Sequence, residues 1–197
     1  MRLEKYKYHM AEIAGRARTD VAYFHKVCRF TVATIGVQFS TVPTRLERMH
    51  AGDWGGIRNA THVRRSTEYL AANHRDLWAR LLKAEDAVQA LDILTEVPGL
   101  GTVKAGFVAQ MLGFDVGCMD THNLRRFGLN PAAFSVTGVK GAETRRAKLL
   151  HYVDVCRRYG GSAVLWASWC ELIAEKYRNW EDGEAVSAFH MECIGNA

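Results

Sequence analysis

Apolar residues along this chain recur mostly at three- and four-residue intervals, and strictly alternating β-branched runs are rare. That periodicity predicts an all-α architecture. Asp20 reads as an N-cap ahead of a stripe formed by Val21, Phe24, Cys28, Thr31, Val32 and Ile35. Val63, Tyr69 and Leu70 fit a second helix less tidily, and Leu77, Trp78, Leu81 and Leu82 suggest a short third. Ala87, Leu91 and Leu94 mark one further helix, and Val103, Phe107, Val108, Met111 and Leu112 the next. Leu149, Leu150, Val153 and Cys156 give another stripe, with Glu143 and Arg145 on its solvated side, and Tyr159-Gly160-Gly161 ends it as a glycine cap does. Leu165, Trp169, Ile173 and Ala174 form the last strong stripe.

Ala51-Gly52-Asp53-Trp54-Gly55-Gly56 and the stretch from Phe127 to Gly141, with Asn130-Pro131 inside it, read as loops. The second loop suggests two helical lobes around a cleft. One lobe covers about residues 21–130 and contains a hairpin at 88–112; the other combines the N-terminal segment with about 142–197. No internal repeat or low-complexity tract interrupts this order.

Composition narrows the partner. A net charge of +5 and a pI near 9.0 favour a polyanion. No apolar run reaches the length of a membrane span, and the first twenty residues lack a signal-peptide core. Cys28, Cys118, Cys156, Cys170 and Cys193 are widely spaced, an odd set that reads as reduced thiols in a cytoplasm-like compartment. Their spacing argues against a zinc site or a compact iron–sulfur loop, so no metal or cofactor is expected.

The strongest chemical signal is Leu94-Thr95-Glu96-Val97-Pro98-Gly99-Leu100-Gly101-Thr102-Val103-Lys104-Ala105. Pro98 ends a helix because it lacks an N–H and restricts Val97. Gly99 and Gly101 open backbone angles closed to other residues, or allow another surface to approach. Leu100 between them plugs the turn into the core. A helix starting near Thr102 then points its unpaired N–H groups outward, which suits a phosphate. Downstream, Asp120 stands in Met119-Asp120-Thr121-His122-Asn123-Leu124-Arg125. Alone it reads as the N-cap of a helix from Thr121, a role compatible with catalysis.

Together, the hairpin, the intervening helix and the Met-Asp-Thr-His string resemble the helix-hairpin-helix DNA glycosylase superfamily, of the endonuclease III-like kind without an iron–sulfur cluster. Phe30 to Thr41, ending Ile35-Gly36-Val37-Gln38-Phe39-Ser40-Thr41, is similar to the family's early helix. The resemblance implies a two-lobed helical enzyme acting on double-stranded DNA with an extruded base. Asp120 would face the cleft and stabilise charge on the sugar as the base departs, the logic of glycoside hydrolysis. Gln38 would enter the duplex as a wedge, while Gly99, Leu100, Gly101, Thr102, His122 and Arg125 contact DNA. For His122, packing is the competing role.

The match also departs from the pattern. Relatives that cleave the backbone carry a lysine two residues after the last hairpin glycine, and here that position is Val103. Lys104 follows one residue later, about 100° around a helix, and the Gly101-to-Asp120 connection is one residue short. Lys104 therefore serves as a Schiff-base nucleophile in a shifted register, or grips a phosphate in a monofunctional enzyme. Two further functions stay open: modification of a thymine base without excision, and a non-catalytic DNA-binding module. Arg64, Arg65, Arg125, Arg126, Lys140, Arg145, Arg146 and Lys148 are candidates for neutralising the DNA backbone. Phe39, Trp54, Trp166 and Trp169 are candidates for a base pocket, with Trp169 assigned to the core stripe and Trp54 the better pocket candidate. A monomer is expected, cytoplasmic and DNA-associated.

Overall fold

Aspartates begin several of the helices. Asp20 accepts the N–H groups of Ala22 and Tyr23 at 2.8 and 3.2 Å, Asp86 that of Gln89 at 2.8 Å, and Asp182 that of Ala185 at 3.0 Å. Each satisfies amides that the first helical turn leaves unpaired. The computed structural model describes residues 2–177 and 180–197. Among these it is all-α, with no strand: α1 (Arg2–Thr19), α2 (Val21–Ala33), α3 (Val42–Ala51), α4 (Ala60–Leu82), α5 (Ala87–Leu94), α6 (Thr102–Met111), α7 (Thr121–Arg126), α8 (Ala142–Arg158), α9 (Gly161–Lys176) and α10 (Gly183–Asn196). Short 3-10 turns sit at Phe39–Thr41 and Pro131–Ala133.

Helix α2 is the hub. It packs on α1, α3, α4, α6 and α10, while α5 and α6 form the hairpin and α8 closes over α5. Helices α1, α9 and α10 pack on one another. Buried apolar side chains form one continuous cluster from Tyr6 to Ala197. Polar bonds add to this packing: Tyr6 Oη on α1 donates to Glu171 on α9 at 2.6 Å, and Trp166 Nε1 on α9 donates to Ser187 Oγ on α10 at 3.0 Å.

Several sequence expectations change. Residues 60–82 form one 23-residue helix, not two. Its buried stripe runs Val63, Ser66, Leu70, Leu77, Leu81, with a serine in an apolar position that masks the continuity. Helices α1, α3 and α10 were not anticipated; Tyr6, Met10, Ile13 and Ala17 carry the buried face of α1 among many charges. Leu150 is exposed, and Tyr152 takes its place in the core. Arg145 is not a solvated residue: its guanidinium binds Asp92 and Thr95, tying α8 to α5. Helix α8 does stop at the glycine pair, with Gly160 at φ +100°.

No described helix is long and apolar enough to cross a membrane. Among the described residues no group of His, Cys, Asp and Glu is placed to hold a metal ion.

Candidate functional site

The segment between α6 and α7 places Asp120, and nearly every group in it is tied down. Gln110, buried on α6, accepts the Cys118 N–H at 3.2 Å and donates to the Ser162 carbonyl at 2.7 Å. Tyr152 Oη donates to the Gly117 carbonyl at 2.7 Å and accepts the Met119 N–H at 3.1 Å. Asn123 Nδ2 donates to the Cys118 carbonyl at 2.8 Å. Tyr152→Phe would leave the buried Met119 N–H unpaired and the Gly117 carbonyl with only the weak Cys156 thiol donor at 3.7 Å, a cost of about 1–3 kcal/mol. A calorimetric melt is expected to fall by about 2–12 °C.

Asp120 caps α7, as its sequence position predicts: Oδ1 accepts the N–H groups of His122 and Asn123, both at 3.0 Å. Its Oδ2 accepts from Trp169 Nε1 on α9 at 2.7 Å. Trp169 is thus not only a stripe residue; its indole edge holds the carboxylate. Trp54 packs against the core and is not part of this wall.

Asp120 and Trp169 border a cavity of about 90 Å³ walled by Phe39, Phe107, Trp166, Trp169, Tyr177 and His190, with Gln110 and Cys118 beside them. At ~10–15 Å³ per water, that is room for roughly six to nine waters, the scale of one heteroaromatic ring. Lys104, Thr34, Gln38 and His122 also line it. Lys104 Nζ donates to Thr34 Oγ1 at 2.7 Å and lies 5.7 Å from the Phe107 ring centre. Burial pushes the Cys118 thiol up to about 12, so it stays protonated at neutral pH and is a poor nucleophile.

Outside the cavity, an open groove of about 660 Å³ carries Val103, Lys104, Asp120, His122 and Arg125. Val103 borders this groove alone, whereas Lys104 borders both spaces. Asp120, Lys104, Gln38 and His122 therefore converge, with Arg125 next to them.

The hairpin glycines border a separate groove of about 590 Å³. There Leu100 is buried as expected. Gly99 needs to be glycine: its φ is +83°, and a Cβ would stand 2.9 Å from Ser66 Oγ on α4. Gly101 does not: its φ is −71°, and a Cβ would meet nothing. Helix α6 begins at Thr102 without a side-chain cap, and Thr102 itself turns inward to the Phe134 carbonyl at 2.8 Å.

Of the basic residues, Arg64 pairs with Glu68, Arg126 bonds Ser168 and Lys148 reaches the Ala132 carbonyl. Arg65, Arg125, Lys140 and Arg146 are exposed. Phe107, Gln110, Tyr177 and His190 were missed from sequence. Phe107, Gln110 and His190 lie on helices whose pattern marks them only as core or surface, and Tyr177 directly follows α9. No protein-family model, curated protein or solved structure matches the chain.

Proposed function

We propose that the chain is a DNA glycosylase of the helix-hairpin-helix type, hydrolysing the N-glycosidic bond of a damaged or modified base. The observation that carries this is Asp120: a carboxylate fixed by three N–H groups at the border of an aromatic-walled cavity. A flat ring extruded from the duplex would stack among those walls. As the N–C1′ bond breaks, its electron pair leaves with the base and positive charge builds on the sugar. The carboxylate faces that charge; water then adds at C1′ and passes a proton to Asp120. Lys104 stands beside the same cavity as a possible nucleophile for backbone cleavage, and the groove bearing His122 and Arg125 would take the flanking strand.

In this proposal the enzyme works as a two-lobed monomer, DNA-associated in the cytoplasm, with residues 21–130 facing 142–197 and the N-terminal segment. The test is a set of duplexes each bearing one lesion, with released base read by mass spectrometry. Release from at least one, lost in Asp120→Asn, is expected. No release from any duplex that the protein binds would overturn the proposal.

The hairpin gives a second, independent check. Gly101→Ala is structurally harmless, neutral to about 1 kcal/mol stabilising, because its backbone angles are ordinary and its surroundings open. If a phosphate approaches this turn, the added methyl costs one charge-assisted hydrogen bond, and duplex affinity falls about tenfold or more. Gly99→Ala reverses the pattern, lowering the melting temperature through a strained left-handed angle. Anisotropy binding at fixed salt beside thermal melts distinguishes the two.

A further inference from the structure

We infer that Arg45 is a positioning residue: by gripping one carbonyl from each of two loops, it fixes the ridge between the hairpin groove and the cavity, and through it the place of Lys104. The inference rests on the reading of these spaces as a DNA site, though not on excision.

Arg45 lies on α3, only 5% exposed, and borders neither the cavity nor the two grooves. Its Nη1 donates to the Ile35 carbonyl and its Nη2 to the Arg58 carbonyl, both at 2.7 Å. Its Nε–H is buried without an acceptor, and among the described residues no carboxylate pairs with it. Burial pulls the guanidinium below its ordinary value, yet the group stays charged at neutral pH. A cation buried without a counter-charge carries a desolvation cost that two neutral carbonyls offset only in part. Stability alone is a poor reason for it. What the side chain supplies is geometry: a planar fork with fixed N–H directions holds two carbonyls at one spacing.

Those carbonyls belong to the loop that follows α2 and the loop that precedes α4, and the two loops touch. Gly36 has φ +68°, and a Cβ there would stand 2.8 Å from Asn59 Nδ2. Asn59 itself has φ +60°, a left-handed angle that persists where the surroundings enforce it. Together the loops form a ridge. Ile35 and Asn59 border the hairpin groove, whereas Thr34 and Gly36 border the groove that holds Asp120. Val37 and Gln38 continue the ridge into the cavity wall. Thr34 Oγ1, one residue before the gripped carbonyl, accepts from Lys104 Nζ at 2.7 Å. A ridge that slides therefore moves the acceptor of the lysine. It also changes the distance from the hairpin turn to the mouth of the cavity.

Arg45→Met keeps the apolar stem and removes the fork. In the full-length protein without DNA, the Lys104 side-chain ¹³Cε resonance is expected to move in Arg45→Met to where Thr34→Ala places it. It is expected to stay in Trp78→Phe, which loses a carbonyl bond of 2.9 Å between α4 and α1. Anisotropy then compares a duplex bearing a tetrahydrofuran abasic-site analogue with the unmodified duplex. The wild-type preference for the analogue is expected to fall about tenfold or more in Arg45→Met, with affinity for the unmodified duplex held within about twofold. A merely structural role would weaken both duplexes alike. Adding Thr34→Ala to Arg45→Met is expected to cost little more, since both act through one ridge. Arg45→Lys keeps the charge without the fork and is expected to fail the same way; it replaces Arg45→Met if that variant does not fold. An unmoved Lys104 resonance, equal losses on both duplexes, additive losses or full rescue by Arg45→Lys would overturn the inference. So would a wild-type protein that binds the two duplexes alike. No turnover enters these measurements, so their failure leaves excision by Asp120 standing, and failed excision leaves the role of Arg45 intact.

Discussion

Asp120→Asn is expected to slow base release from a susceptible duplex by at least about 10²–10³-fold, with duplex affinity nearly unchanged. The substitution removes the charge and keeps the cap of α7. Asparagine caps a helix about as well as aspartate, so α7 keeps its two amide bonds. Its amide nitrogen takes the place of Oδ2, so the Trp169 N–H loses its acceptor, a cost that the thermal melt reads separately. What disappears is the negative charge facing the sugar. Single-turnover release, anisotropy at one salt concentration and a thermal melt make the comparison complete. Asp120→Ala is the instructive contrast. It removes the cap as well and costs about 0.5–2 kcal/mol, so its lost activity would say less about chemistry. Unchanged release in Asp120→Asn would remove the carboxylate from the reaction.

The parts of this site that the sequence makes legible are the local ones. Asp20 and Asp120 announce helix starts because a cap needs only its own next three residues. The hairpin announces itself because Pro98, Gly99 and Leu100 act within one turn. The wall of the cavity has no such neighbourhood: Thr34, Lys104, Trp169 and His190 meet from four separate elements. Trp169 shows the difference well. Its spacing with Leu165 and Ile173 correctly marks a helix facing inward, yet spacing cannot say that the indole edge ends on a carboxylate 49 residues away in sequence. Trp54, flanked by glycines, looked the better pocket residue and packs elsewhere. His190 carries no local signal, since one histidine in a weak stripe reads as ordinary core. Helix α4 was split for a related reason. Ser66 occupies an apolar position because its hydroxyl lies against the Pro98 carbonyl of the hairpin, a tertiary demand that helical periodicity does not encode.

Lys104→Ala is expected to abolish covalent trapping. In the proposed lyase step the uncharged amine attacks C1′, the base leaves with the bonding electrons, and loss of a proton with ring opening gives an iminium. Borohydride then adds hydride to that iminium and freezes a protein–DNA adduct. Sequence position speaks against this role, because Lys104 sits one residue beyond where such a lysine is expected. The geometry speaks for it: Lys104, not Val103, borders the cavity that Asp120 borders, and Thr34 steadies its ammonium at 2.7 Å. A phosphate-gripping lysine behaves differently, and Lys104→Arg separates the two. Arginine keeps the charge and binds phosphate at least as well, but it cannot form a Schiff base. Under the lyase role both variants lose the adduct, while Lys104→Arg keeps duplex affinity. Under the phosphate role the wild-type protein releases base without trapping, Lys104→Arg is nearly silent, and Lys104→Ala lowers the salt dependence of binding by about one counterion. Trapping that survives in Lys104→Ala would assign the nucleophile to another amine and leave Lys104 as part of the cavity wall.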